Sequence, residues 1–219
     1  MHTLKILDTH YITHDVKRFV LEKPKEFTYR TGQAAHLSVN LPEWKDKAHP
    51  FTFTSLNEWS KLEFTIKIYD DRQGVTHQLG KLIEGDEILM HDVFDTFAYK
   101  GPGVFLAGGA GITPFMAIFR ALHASDNMRG VALLYSNKTS KDIIYHDELT
   151  KILGPAYKNV FTREGVIGFR ERRLDRDFLL ETIGDFDQRF YICGPKDFVT
   201  NLKDALIDLG AKQASLILE

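Results

Sequence analysis

The run GVFLAGGAGITPFMAIFRALHA, Gly103 to Ala124, carries three structural signals in immediate succession. Gly103 to Ala107 is continuously apolar, as a strand covered on both faces must be. Glycines at 108, 109 and 111 then break the run, and Phe115, Ile118, Phe119 and Leu122 follow at helical spacing. A buried strand, a glycine-rich turn and a helix form one βα unit of a parallel sheet, and such sheets bind ligands at the carboxyl ends of their strands. The glycines let the backbone turn sharply and come close to a ligand, while Thr113 is expected as the helix N-cap and Pro114 as the first helical residue. Exposed amides and the positive end of the helix dipole suit an anion such as a dinucleotide pyrophosphate. A tight strand-to-helix turn with no ligand would leave the same pattern.

The same alternation continues downstream. GVALLYS (Gly130 to Ser136) reads as the next buried strand, and Tyr145, Leu149, Ile152 and Leu153 mark a helix. Then come NVFT, a helix near DFLLETI, the strand RFYIC, and a last helix through Phe198, Leu202, Leu206 and Leu209, stopped by Gly210. Upstream the texture differs. In LEFTIKIY (Leu62 to Tyr69), Leu62, Phe64, Ile66 and Ile68 fall on one face and Glu63, Thr65 and Lys67 on the other. With TLKILDT, VKRFVLE, AAHLSVN, FTFTS and DEILMHD, it gives about six strands separated by turn signals such as Thr31-Gly32 and Gly85-Asp86, as in a small antiparallel barrel. The join is expected near YKGPG, Tyr99 to Gly103, which predicts two domains: an antiparallel β-barrel over 1–99 and an α/β parallel-sheet domain over 100–219.

Composition narrows the function classes. The 219 residues are 43% hydrophobic and 26% charged with a formal charge of −2, an ordinary globular balance without the basic surplus of a nucleic-acid binder. No apolar stretch approaches the roughly 18 residues of a membrane span, and the start MHTLKILDTH has no long apolar core, so a cytoplasmic protein is expected. One cysteine, Cys193, excludes a disulfide framework or a cysteine-ligated metal cluster built from this sequence alone. His10 and His14 have metal-ligand spacing, but their segment alternates like a strand, and no metal site is assigned. The internal HDEL (His146 to Leu149) and the sequon at Asn137 are not read as signals, because each needs a context the sequence does not supply.

Four separated motifs occur in one order. KAHPFTFTSLNE (Lys47 to Glu58) sets Phe and Thr on a short strand after His49-Pro50, GVTHQL (Gly74 to Leu79) opens with glycine, AGGAGITP is the loop already described, and YICGP (Tyr191 to Pro195) ends a buried strand at a Gly-Pro turn. HPFTFTS could be only a barrel strand, and Phe51 only core. Taken together, the four motifs resemble the ferredoxin-NADP reductase family in its compact flavodoxin-reductase and flavin-reductase branch, over nearly the whole length. The resemblance implies an FAD-binding barrel joined to an NAD(P)H-binding domain.

It further implies the site. Phe51 would pack on the isoalloxazine, Thr52 would reach the N5 atom that receives hydride, and the segment of Ile66, Lys67 and Ile68 would lie along the ring edge. The amides of Gly74, Val75 and Thr76 would take the pyrophosphate of FAD in preference to FMN, with His49 and Pro50 beside it; His49 stands where relatives usually place arginine, and Lys45 or Lys47 could serve that phosphate instead. On the coenzyme side the resemblance implies Gly109, Gly111 and Thr113 at the phosphates, and Cys193, Gly194 and Pro195 at the nicotinamide. SLILE aligns with the acidic C-terminal segment of relatives, which makes Glu219 a candidate proton donor, although a terminal carboxylate without ordered contacts fits the sequence equally. After LLYS, the residues Ser136, Lys138, Thr139 and Lys141 are candidate partners of a 2'-phosphate and lean the choice toward NADPH over NADH. Hydride transfer needs mainly positioning, with no strong acid or base. The implied acceptor is a separate flavodoxin or ferredoxin. Free flavin used as a substrate, or a noncatalytic subunit of a redox complex, are the alternatives.

Overall fold

The alternation of LEFTIKIY becomes β5, Lys61–Lys67, whose Leu62, Phe64 and Ile66 are buried in a common core. This computed structural model describes residues 1–164 and 172–219. They form two compact units, Met1–Tyr99 with Thr113–Ala121, and Lys100–Ile112 with Leu122–Glu219.

In the first unit β5 joins β1 (His2–Tyr11), β2 (Val16–Glu22), β3 (Gln33–Val39), β4 (His49–Thr52) and β6 (Glu87–Asp95) in a six-stranded sheet of order β4-β3-β6-β1-β2-β5. Every neighbouring pair is antiparallel. The two ends of the sheet also meet, through the Phe53–Phe64 bridge and the Thr54 N–H donating to the Glu63 carbonyl at 2.9 Å, so the sheet closes on itself just beyond β4. Phe19, Leu37, Phe53, Phe64 and Met90 fill the interior.

Most of GVTHQL forms a short helix, α1 (Val75–Lys81), with Val75 and Leu79 in the barrel core. Lys17 secures its other end. This buried lysine donates from Nζ to the carbonyls of Gly80 (2.9 Å) and Leu82 (2.6 Å), groups that a helix C-terminus leaves unpaired. Helix α2, Thr113–Ala124, contributes Thr113–Ala121 to this unit, where Phe115 meets Phe97 edge-on at 5.0 Å.

The second unit is a five-stranded parallel sheet: β7 (Gly103–Gly108), β8 (Val131–Asn137), β9 (Tyr157–Phe161), β10 (Arg189–Cys193) and β11 (Leu216–Leu218), ordered β11-β10-β7-β8-β9. All six residues of β7 are buried, as their continuous apolar run required. The accompanying helices are α3 (His146–Leu153), α4 (Arg176–Thr182) and α5 (Lys196–Asp208). Helix α5 ends as Gly210 predicted: its φ is +100°, its N–H donates to Ile207, and the Ala211 N–H reaches back to Leu206 at 2.9 Å. SLILE is ordered, since β11 lies parallel to β10 along the sheet edge.

Candidate functional site

The flavin candidates lie on β4 and beside it. In its ladder with β3, His49 faces Leu37, Phe51 faces Ala35 and Thr52 faces Ala34. Strand alternation then places His49, Phe51 and Phe53 on one side and Thr52 and Thr54 on the other. Phe53 is core, Phe51 is half-buried against that core, and His49 and Pro50 are exposed at the strand's start. Thr52 is only 8% exposed, yet among the described residues its hydroxyl has no hydrogen-bond partner.

Ile66 and Ile68 are buried in the barrel core, so this segment can offer a ligand its backbone and Lys67 rather than those two side chains. Lys67 is itself engaged, 2.6 Å from Asp15. Burial pushes the Asp15 carboxyl up, but Lys67 outweighs it and leaves Asp15 below the usual carboxylate range.

At α1 the N-cap is Gly74, and no side chain caps the helix start. The protein itself does not require glycine there. Its φ is −104°, and an added Cβ would meet nothing within 4 Å. A backbone open to close approach, with the amides of Val75 and Thr76 following, suits a phosphate. Arg72, which the sequence reading passed over, lies two residues ahead with its guanidinium 5.1 Å from the Tyr69 ring centre. Its only sequence signal is proximity to the glycine.

The nicotinamide-loop candidates lie at the carboxyl ends of β7 and β10, which are neighbours in the sheet. Here one local expectation is corrected: Thr113 does not cap α2. A 3-10 turn over Gly109–Ile112 runs directly into the helix, so Thr113 is already helical and Pro114 follows inside the first turn, where a missing N–H costs nothing. Gly109 is the turn's conformational glycine, with φ +53° and its carbonyl held by the Tyr135 hydroxyl at 2.9 Å. Gly111 has another reason to be glycine: a Cβ there would stand 2.2 Å from the Cys193 carbonyl oxygen. Gly194 is similarly constrained by Phe198 at 2.7 Å, and Pro195 caps α5. These contacts bring the glycine turn and the Cys193-Gly194 backbone together.

Cys193 is buried, and burial, helped by the charge of Glu219, pushes its thiol up to about 12. It therefore stays protonated at any working pH and offers a small, neutral, polarizable surface rather than a nucleophile. The Glu219 N–H donates to the Ile192 carbonyl at 3.1 Å, and partial desolvation raises its carboxyl although the residue keeps an exposed surface.

Of the candidates for a 2'-phosphate, Thr139 has its hydroxyl engaged elsewhere. Ser136 is buried, Thr139 forms a capping box with Asp142, and the Lys138 carbonyl accepts from the Arg163 N–H at 2.9 Å. The Glu164 carboxylate accepts from both the backbone N–H and the hydroxyl of Ser140. Two carboxylates thus occupy the turn that was expected to receive an anion. Lys138, Lys141 and Arg163 are cationic residues of the same segment, and neither Asp142 nor Glu164 was singled out in the sequence.

Two family models match this chain. Residues 1–102 match the model of an FAD-binding domain, and residues 105–204 match that of an oxidoreductase NAD-binding domain. Among curated relatives, NADH-cytochrome b5 reductase 1 of Arabidopsis thaliana is 30% identical over 156 residues, covering 66% of this chain and 54% of its own. NADH oxidoreductase HCR of Escherichia coli is 26% identical, covering 93% of this chain and 64% of its own. The propane 2-monooxygenase reductase component of Mycolicibacterium smegmatis is 27% identical, covering 59% and 38%. The chain thus spans between about a third and two thirds of the length of these three relatives.

Two solved structures share the fold. The FAD/NAD-binding domain of a nitric oxide dioxygenase from Vibrio cholerae has a TM-score of 0.86 at 22% identity, covering 99% of this chain and 97% of its own. A ferredoxin NADP+ reductase from Neisseria gonorrhoeae with bound FAD and NADP has a TM-score of 0.83 at 21% identity, covering 100% and 97%. Among the described residues, no cluster of three or more potential metal ligands occurs, and no helix is long and apolar enough to cross a membrane. A closed antiparallel sheet that matches an FAD-binding domain, followed by a parallel sheet that matches an oxidoreductase NAD-binding domain, makes this chain an FAD- and NAD-binding oxidoreductase with the fold of the ferredoxin-NADP reductases.

Proposed function

We propose that this chain oxidises NADH and passes the electrons through FAD to a separate acceptor protein, a carrier of the ferredoxin or flavodoxin kind. The observation that carries the flavin role is the adjacency on β4 of a half-buried aromatic, Phe51, and Thr52, a mostly buried residue whose hydroxyl no described residue satisfies. When bound, the flavin supplies a centre that accepts a hydride and releases electrons singly. The chain's own residues hold and orient. Phe51 offers apolar surface to the ring system, Thr52 donates its hydroxyl proton toward N5, and the amides of Gly74, Val75 and Thr76 with His49 and Pro50 receive the phosphates. Gly109 and Gly111, with Thr113 at the start of α2, line the coenzyme phosphates, and Cys193, Gly194 and Pro195 form the wall for the nicotinamide, with Glu219 beside them.

The preference for NADH over NADPH rests on Asp142 and Glu164. A second phosphate near Ser140 would have to displace the Glu164 carboxylate or lie against it, and like charges in close contact are disfavoured. The relatives named for NADH support the same choice. Their names also point to different acceptors, among them cytochrome b5 and a monooxygenase, so the acceptor is assigned here only by class. The test is to load purified protein with FAD and to follow NADH oxidation with a one-electron acceptor. Retained FAD with two acceptor molecules reduced per NADH is the expected result. A colourless protein that oxidises NADH only in excess free flavin would make flavin the substrate, and no turnover with any acceptor would leave a binding subunit.

A further inference from the structure

The face of β5 that alternation assigns to the barrel exterior is buried, and it is charged. Glu63 is 3% exposed, and Arg120, on α2, is 8% exposed. The Arg120 Nη1 donates to the Thr54 carbonyl at 2.6 Å and to Glu63 Oε1 at 2.6 Å. The other oxygen of Glu63 accepts from Arg18 Nε at 2.7 Å, and Arg18 continues to Asp8 at 2.9 Å. Signs alternate along this chain of four groups, so the network is neutral. Burial pushes the Glu63 carboxyl up, but Arg120 and Arg18 more than reverse it, and Glu63 stays ionised. The Trp59 ring lies 5.1 Å from the Arg120 guanidinium carbon.

A buried ion network of this kind contributes little net stability compared with apolar side chains of similar volume; where it has a use, that use is fixed geometry. What it fixes here is Thr54. The Thr54 N–H donates to the Glu63 carbonyl at 2.9 Å, its hydroxyl donates to Glu63 Oε1 at 2.9 Å, and its carbonyl accepts from Arg120. Thr54 lies two residues beyond Thr52 and continues the same face of the chain as it leaves β4. Phe53 is the one residue between them, so the backbone held at Thr54 is the backbone that leaves Thr52.

We propose that Arg120 is a positioning residue for the flavin: by donating to both the Thr54 carbonyl and the Glu63 carboxylate it fixes the backbone beyond β4 and with it the direction of the Thr52 hydroxyl. The inference rests on the reading that Thr52 meets the flavin, and it adds a role for a residue on α2 that touches neither the ring nor the phosphates. Removing the guanidinium alone leaves Glu63 buried with Arg18 as its remaining cation, so Arg120→Met also loses stability. Arg120→Met with Glu63→Gln removes both charges and separates the two effects, because the uncompensated carboxylate is gone while the Thr54 carbonyl still lacks its donor.

The experiment measures three quantities on wild type, Arg120→Met, Arg120→Lys and the double variant: FAD affinity, visible circular dichroism of the bound flavin, and the thermal midpoint of the flavin-free protein. Single-turnover reduction by NADH is followed alongside. FAD affinity is expected to change less than about threefold, since the phosphate groups are untouched, while the flavin dichroism changes and reduction slows roughly tenfold or more. The double variant is expected to recover the thermal midpoint but neither the dichroism nor the rate, and Arg120→Lys to recover part of both. Recovery of all three in the double variant, or wild-type dichroism in Arg120→Met, would overturn the proposal and leave Arg120 as a stabilising residue only. Failure of the wild-type protein to bind FAD would instead remove the reading of Thr52 on which it rests.

Discussion

Thr52 and Cys193 illustrate how differently two buried, uncharged side chains can serve a redox site. Thr52 has a hydroxyl to offer, so Thr52→Val keeps shape and removes only that donor. The variant is expected to hold FAD with nearly unchanged affinity but to accept hydride more slowly, by roughly tenfold if one neutral hydrogen bond of about 1.4 kcal/mol is lost at N5. Unchanged reduction in the stopped flow, with FAD still bound, would remove Thr52 from the chemistry. Cys193 contributes by staying neutral. Its thiol is pushed up to about 12 in the folded protein, whereas in the unfolded chain it ionises near ~8.5. Between those values the unfolded state has released a proton that the folded state keeps, so stability contributed below the lower value is lost as pH rises, by about 1.4 kcal/mol per pH unit. Urea denaturation from about pH 8 to about pH 10 should show this slope in wild type and lose it in Cys193→Ala. An equal slope in both proteins would assign the alkaline loss to other groups.

At the scale of elements, glycines that look alike in the sequence differ in what they do. Gly111→Ala forces a Cβ to within 2.2 Å of the Cys193 carbonyl oxygen, so the turn and the end of β10 must separate. A loss of about 2 kcal/mol or more in the flavin-free protein is expected, together with loss of NADH binding. Gly74→Ala meets open space at a negative φ, and the flavin-free protein should unfold with wild-type midpoint while FAD binding weakens. If both variants lose stability, α1 has no backbone reserved for a ligand; if neither does, the close approach at Gly111 is not a constraint.

The sequence showed the strands of both sheets plainly, because alternation in LEFTIKIY and continuous apolarity in GVFLA are local patterns. It hid α1, whose seven residues are too few to show a helical period, and the start of α2, where a 3-10 turn blurs into helix. It also hid why Glu63 is on a buried face. Alternation makes Glu63 an outward residue, and only contact with α2 turns that position into an interior one, through a partner far along the chain. Hydrogen bonds between Ser140 and Glu164 are equally silent in the sequence, where Ser136, Lys138, Thr139 and Lys141 are all that the turn displays.

For the whole molecule, coenzyme choice is a difference of two affinities and tests the carboxylates at Asp142 and Glu164 directly. kcat/KM for NADH is expected to exceed that for NADPH by roughly tenfold or more, and Glu164→Gln to narrow the ratio by weakening the repulsion. A higher value for NADPH in wild type would return the role to Lys138 and Lys141. The central claim is that this chain binds FAD and reduces it with NADH, and the most direct test is an anaerobic titration of the FAD-loaded protein, freed of unbound flavin, followed by the visible flavin absorption. The account predicts stoichiometric FAD, confirmed by extraction and chromatography, and complete bleaching at one equivalent of NADH. FMN as the bound species, no retained flavin, or an absorption band that survives excess NADH would contradict it.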